Sequence, residues 1–267
     1  MRQVHPSAIV AKGADIGSGS SIGPYSCIGP AVRIGKNCRI GPHVVIEGCT
    51  TIGDDNQIYQ FASVGAAPQD RKWRGEPSKL IIGDSNVIRE YVTIQPGLEQ
   101  FGGVTRIGND NLLMACSHIA HDVHLGDGNW LTNSAALGGH VQIGSRVILA
   151  GLSGVHQFCR IGDHAFVSAG AMVAQDVPPY CLVQGDRARL RSINVTGLKR
   201  SGMSAADITV IQRVFRLLFV AAKPMAARID DVEVQYADSH YALKLLNFVR
   251  ASERGVVGYR RQPPQAA

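Results

Sequence analysis

Nowhere in the 267 residues do 18 consecutive apolar residues occur, so no stretch reads as an ordinary membrane-spanning helix. The N-terminus lacks the apolar core of a secretory signal. The six cysteines (Cys27, Cys38, Cys49, Cys116, Cys159 and Cys181) fall at unrelated spacings and form no C-x-x-C pair. That pattern argues against a disulfide framework and for free thiols in a reducing cytosol. Aromatic residues make up only 6% of the chain. They are too sparse among the basic residues to form stacking platforms, so nucleic acid is not an expected partner despite a net charge of +6. The positive charge gathers late in the chain, at Arg187, Arg189, Arg191, Lys199, Arg200, Arg213 and Arg216. It points instead to an acidic protein partner or a phosphorylated small molecule.

What the chain does have is a period. An aliphatic residue stands at every sixth position from Val4 to Val64, again at Ile82, Ile88 and Ile94, and again from Ile107 to Val173. Neither a helix nor a two-faced strand repeats at six, and such repetition reads as a β-solenoid. Gly often follows the aliphatic, as in Ile16-Gly17, Ile34-Gly35 and Ile161-Gly162; it is expected to give backbone freedom at a corner where a Cβ would clash. The fifth position is usually small or β-branched, as at Ser20, Val44, Ala135 and Ala165. Three six-residue sides close one triangular coil, and successive coils stack as parallel strands about 4.8 Å apart. The expected fold is therefore mainly β, a hexapeptide-repeat solenoid of triangular section over residues 1–190.

Two blocks break the phase, at about 65–81 and 97–106, and read as loops leaving the prism. Insertions of this kind often collect on the binding face of a solenoid. Beyond residue 190 the spacing turns helical, giving a C-terminal α-helical domain over 191–267. Ile208, Ile211, Phe215, Leu218 and Phe219 mark one helix, opened by Ser204 with Asp207 three residues on. Tyr241, Leu245, Phe248 and Val249 mark another. These helices are expected to cover the open edge of the last coil. The segment after Gly255 is expected to fray.

Counting in eighteens finds candidate chemistry. His121 is followed by Gly139 and then Gln157, with His140 and His156 one residue to either side of that column. These residues are expected on one outward side of the prism, with His118 at the corner leading into it. A histidine near a glycine whose backbone N–H is open to a substrate suits acyl transfer: one group takes a proton, the other holds an oxyanion. Asp122 is placed to orient His121. A metal site is the competing use of clustered histidines, but in extended chain His118, His121 and His124 point to different sides. A second column of small residues, Asn133, Gly151 and Ala169, occupies a different side.

The stretches Asn111–Asp122, Ile58–Gly65, Gly154–Phe158, Ala174–Tyr180 and Asn194–Arg200 together resemble the UDP-N-acetylglucosamine O-acyltransferases of lipid A biosynthesis, within the hexapeptide-repeat acyltransferases. The resemblance covers nearly the whole chain. It implies a left-handed parallel β-helix, a homotrimer with clefts between subunits, and transfer of an (R)-3-hydroxyacyl chain from acyl carrier protein to the sugar 3-hydroxyl in the cytoplasm. By that resemblance His121 is the general base and Gly139 supplies the oxyanion N–H. Asp70, Lys72 and His118 lie around the sugar and the catalytic cleft. His140, His156, Gln157, Asn194 and Arg200 contact the substrate and its nucleotide. Ala169 matches the position that limits acyl length and predicts an intermediate or long chain. Arg213 and Arg216 are expected to dock the carrier protein, whose thioester is a co-substrate. No cofactor and no metal are expected. Thr196 and Ser201 depart from the Glu and Arg frequent in related sequences, which puts the nucleotide contacts there in doubt. The related N-acyltransferases carry an N-terminal nucleotide-binding domain, for which a repeat starting at Val4 leaves no room. An acetyl-CoA-dependent sugar acetyltransferase fits the loops and helical tail less well. A non-enzymatic scaffold predicts a flat, repetitive face that the irregular outward positions do not supply.

Overall fold

The computed structural model describes residues 3–259. Short parallel strands, mostly two residues long, stack into three sheets that form the sides of a left-handed triangular prism. The first side begins with Gln3–Val4, Ser21–Ile22 and Arg39–Ile40; the second with Ile9–Val10, Cys27–Ile28 and Val45–Ile46; the third with Asp15–Ile16, Arg33–Ile34 and Cys49–Ile52. The coil length of eighteen is seen directly in the register, as in Ile22 beside Ile40 and Ile40 beside Ile58. The period-six aliphatics point inward: Ile46, Ile58, Ile88, Ile119, Leu131 and Leu137 are almost wholly buried. Their burial is the main favourable term holding the coils together.

At the corners half of the sequence expectation holds: a Cβ after the aliphatic would clash, but glycines such as Gly108 and Gly126 do not use the left-handed freedom that glycine allows. A Cβ on Gly108 would lie 2.8 Å from the carbonyl oxygen of Gly126, and one on Gly126 would lie 2.7 Å from that of Gly144. These glycines let one coil's backbone close onto the next. The left-handed conformation comes two residues later and is taken by ordinary residues, among them Tyr25, His43, Phe61, Asp122, His140 and Phe158, with φ between 54° and 66°. At the corner between the first and second sides, four of them stack as an exposed ladder: Tyr25 on His43 at 5.1 Å, His43 on Phe61 at 5.3 Å, and Phe61 on Tyr91 at 5.1 Å.

At the corner between the third and first sides, polar ladders tie the coils. Inside the prism, Asn86 donates its backbone N–H to Asn56 Oδ1, Asn111 to Asn86 Oδ1, and Asn129 to Asn111 Oδ1. These asparagines occupy fifth positions where a small or β-branched residue was expected, and each is buried. The side-chain amides of Asn56, Asn86 and Asn111 donate across the ladder, while among the described residues that of Asn129 meets no acceptor. Outside, Asp54, Asp84, Asn109, Asp127 and Asp163 each accept a backbone N–H from the coil before.

Both loops leave and rejoin the prism without disturbing it. Strand Ser63–Val64 pairs with Thr93–Ile94, and Lys79–Ile82 pairs with Val104–Ile107. The last coil is capped first by an antiparallel hairpin, Cys181–Gln184 with Arg189–Ile193, which extends the first side. The helices then follow: α1 Val195–Arg200, α2 Ala205–Phe215 running into a π-helical turn at Arg216–Val220, α3 Met225–Gln235 and α4 His240–Arg250. Ser204 caps α2 as expected, accepting the Asp207 N–H at 3.1 Å. Helix α3 was not foreseen, because Val232 is its one fully buried residue. Nor does the chain fray at Gly255. Val256 pairs with Asp176, Tyr259 pairs with Leu190, and Val257 is buried. The rest of that tail, 260–267, lies outside the described residues.

Candidate functional site

The histidine column sits at a corner, not on a side. His118 is on the flat second side, in strand His118–Ile119, where its Nδ1 meets Thr93 Oγ1 at 2.7 Å. His121 and Asp122 form the turn that follows, between the second and third sides. Expectation had the two reversed. The reason is that turns occupy the second and third residues after each inward aliphatic, here Ile119. Gly139–His140 and Gln157–Phe158 are the same turn on the next two coils. His124 lies on the third side and turns away.

Although outside the prism, His121 and Asp122 are buried. The cover comes from the two loops. The backbone N–H of Leu98, in the second loop, donates to both Asp122 carboxylate oxygens at 3.0 and 3.1 Å. Thr105 Oγ1 accepts the Asp122 N–H at 2.8 Å. Thus held, Asp122 Oδ2 lies 2.9 Å from His121 Nδ1. A carboxylate at Nδ1 keeps the proton on that nitrogen and leaves the Nε2 lone pair free. From the first loop, Asp70 Oδ2 lies 3.6 Å from Nε2, while Asp70 Oδ1 accepts the Lys72 N–H at 2.8 Å. Lys72 itself is exposed.

Gly139 stacks directly on His121. A Cβ there would lie 2.7 Å from His121 Nε2 and closer still to Cε1. Among the described residues no acceptor meets the Gly139 N–H. The third corner makes the contrast: there a side-chain oxygen from the next coil takes the equivalent N–H of Lys36, Asp54 and Asp84. His140 packs edge-on to His121 at 5.0 Å and flat on Phe158 at 4.5 Å. Burial pulls the pKa values of His140 and His118 below the ordinary histidine range, so both favour the neutral ring near pH 7. His156 is exposed and points to the C-terminal segment, with Nδ1 2.8 Å from Arg254 Nη2. Gln157 is exposed beside it.

The other candidates lie elsewhere on the chain. Asn194 caps α1, accepting the Gly197 N–H, and its amide donates to the His164 carbonyl. With Arg200, Thr196 and Ser201 it lines a pocket of about 270 Å3 against the first side, whose other walls include Trp130, Arg146 and His164. Ala169 is exposed at the corner between the first and second sides, above Gly151 and Asn133. Arg213 and Arg216 are exposed on α2 and the π-turn, lining a groove of about 700 Å3 with Arg191, Tyr236 and Tyr259. His121, the small column and the Asn194 pocket therefore occupy three separate faces of a single chain.

Sequence reasoning missed several contributors. Leu98 acts through its backbone and Thr105 through a hydroxyl on a strand resuming after an insertion, so neither carries a motif. Phe158 could have been found, since it stands 18 residues after His140. Gln95 is buried one coil before Ala120, and among the described residues its side-chain carbonyl has no partner. Of the histidine triple set aside as a metal site, only His121 belongs to the cluster that forms. That cluster is His121, Asp122 and His140, with one donor atom of each within 4.8 Å of the others.

A solenoid of hexapeptides with a histidine–carboxylate pair at one corner belongs with the hexapeptide-repeat transferases. A model described as bacterial transferase hexapeptide matches residues 13–48 and 31–66. A second, described as UDP N-acetylglucosamine O-acyltransferase, domain 2, matches residues 176–257. The acyl-[acyl-carrier-protein]–UDP-N-acetylglucosamine O-acyltransferase of Verminephrobacter eiseniae is 51% identical over 219 residues, covering 82% of this chain and 84% of that protein. The crystal structure of the UDP-N-acetylglucosamine O-acyltransferase from Moraxella catarrhalis superposes with a TM-score of 0.92 at 41% identity, over 95% of this chain and 99% of that one. The Francisella novicida enzyme gives 0.93 at 35% identity, over 98% and 95%. The chain belongs to the UDP-N-acetylglucosamine O-acyltransferase family.

Proposed function

We propose that the protein transfers an (R)-3-hydroxyacyl group from acyl carrier protein to the 3-hydroxyl of UDP-N-acetylglucosamine, the first step of lipid A biosynthesis. The observation that carries this reading is the pairing of His121, fixed through Nδ1 by Asp122 at 2.9 Å, with the open Gly139 N–H stacked on its ring. In this mechanism His121 Nε2 takes the hydroxyl proton as the sugar oxygen attacks the thioester carbonyl. The Gly139 N–H holds the oxyanion of the tetrahedral intermediate. Collapse expels the carrier's thiolate, which recovers the proton from Nε2. Asp122 stabilises the imidazolium formed in between. Asp70, Lys72, His118, His140, His156 and Gln157 surround the sugar and the reacting ester. No cofactor is required.

The nucleotide falls to Asn194 and Arg200, and the acyl chain runs toward Ala169. Because these lie on other faces of one chain, the reading requires neighbouring subunits to complete each site, as a homotrimer would. Arg213 and Arg216, with the basic groove beside them, dock the acidic carrier protein. Reversing both charges is expected to raise the KM for carrier protein severalfold without changing that for the sugar nucleotide; an unchanged carrier KM would remove the docking assignment. Among the described residues no helix is long and apolar enough to cross a membrane, and a soluble carrier and sugar nucleotide suit a cytoplasmic site. The test is direct: the purified chain, UDP-N-acetylglucosamine, and hydroxyacyl carrier proteins of several lengths, with the ester product read by mass spectrometry. An intermediate or long chain is expected to be preferred. A folded protein yielding no ester with any of them would overturn the reading.

A further inference from the structure

The corner that holds the base also holds a set of metal donors. Asp122 Oδ2 lies 2.9 Å from His121 Nδ1 and 3.8 Å from His140 Nδ1. Around a tetrahedral zinc ion with bonds near 2.1 Å, donor atoms stand about 3.4 Å apart. The two spacings bracket that value. The donors are also held in place: Asp122 by the Leu98 and Thr105 bonds, His140 by its stack on Phe158, His121 by the turn itself. Two imidazoles and one carboxylate are a borderline set that suits Zn2+ over Mg2+ or Ca2+. Three protein donors leave a fourth position for water.

We propose that His121, Asp122 and His140 form a transition-metal site whose occupancy is incompatible with the base function of His121. The incompatibility follows from the tautomer. A metal on Nδ1 takes the lone pair there, and the imidazole proton moves to Nε2. No net proton is gained or lost at the ring. The lone pair meant for the sugar hydroxyl is then gone, and Asp122 is diverted from orienting the ring to ligating the ion. The site is thus inhibitory, unlike a catalytic metal, whose removal would abolish activity.

The binding experiment uses the full chain without substrate and Co2+ as a coloured stand-in for Zn2+. One ion per chain is expected, with the intense visible absorption of a four-coordinate site, displaced by Zn2+. His140→Asn and Asp122→Asn are each expected to lose that absorption, while His118→Asn keeps it, all three variants melting cooperatively. Absorption of hydrated Co2+ alone, or a full signal in both ligand variants, would overturn the site. The second experiment rests on the proposed acyl transfer: Zn2+ should lower the rate about a hundredfold or more as the site fills, with chelator restoring it and Mg2+ without effect. Full activity with the site loaded would overturn the incompatibility. The binding arm needs no turnover, so failure of the metal site and failure of the acyltransferase reading give different results.

Discussion

Gly139 lies so close over the His121 ring that a single added methyl cannot be accommodated without moving the imidazole; the built Cβ falls 2.7 Å from Nε2. The contact spans one coil. It couples the position of the base to the identity of the residue 18 places on. Gly139→Ala is therefore expected to leave the prism folded and to lower kcat by about two orders of magnitude, the scale of a misplaced catalytic group. Circular dichroism with steady-state kinetics checks both halves. Activity within a few-fold of the parent would show that the ring is not held where the reaction needs it.

Asp122→Asn keeps the shape of the side chain while removing the charge that keeps the proton on His121 Nδ1. By analogy with other histidine–carboxylate pairs, kcat is expected to fall about a thousandfold or more. His121→Ala sets the floor for comparison. If Asp122→Asn were nearly silent, Asp122 would be serving the Leu98 loop alone.

The buried histidines make stability depend on pH. Burial depresses His118, His140 and His164 below the ordinary value of 6.5. The unfolded chain then binds protons at a higher pH than the native one does. Stability is full above about pH 7, declines as pH falls through 6.5, and stops declining on this account once the native rings protonate. Thermal melts between pH 8 and 5 should show that slope, and His118→Gln should flatten part of it. A melting temperature independent of pH across 6.5 in the parent protein would contradict the buried, neutral rings.

The three separate faces that carry His121, Ala169 and Asn194 give a test by complementation. His121→Ala and Asn194→Ala are each expected to be nearly inactive alone. Co-assembled in one oligomer, they should recover activity at those clefts that draw an intact His121 from one chain and an intact Asn194 from its neighbour. Activity no higher than that of the separate variants, in demonstrably mixed oligomers, would mean that each chain works alone.

How much of this was legible follows from what repeats. The inward aliphatics obey one rule at every coil, so the prism, its three sides and the 18-residue ruler could be read from Val4 to Val173. The ruler also aligned His121 with Gly139. It misplaced His118 because position within the six, not proximity in sequence, decides side from corner. The grip of Leu98 on Asp122 was invisible: it is a backbone bond from an insertion, which by definition has no phase. The asparagine ladder was visible but unread, since a buried polar residue in a core position makes sense only when its partners one coil away are counted too. Helix α3 and the returning segment at Val256–Tyr259 gave little sign, because each presents only one or two residues to the core.

The loops have a consequence beyond the site they cover. Asn56 and Asn86 bond as neighbours across 30 residues, Asn86 and Asn111 across 25, and Asn111 and Asn129 across the plain 18. The prism registers only whether the phase resumes, not how much chain was spent outside. Specificity can therefore be rewritten in the excursions, by length as well as by sequence, while the lattice that aims His121 stays the same.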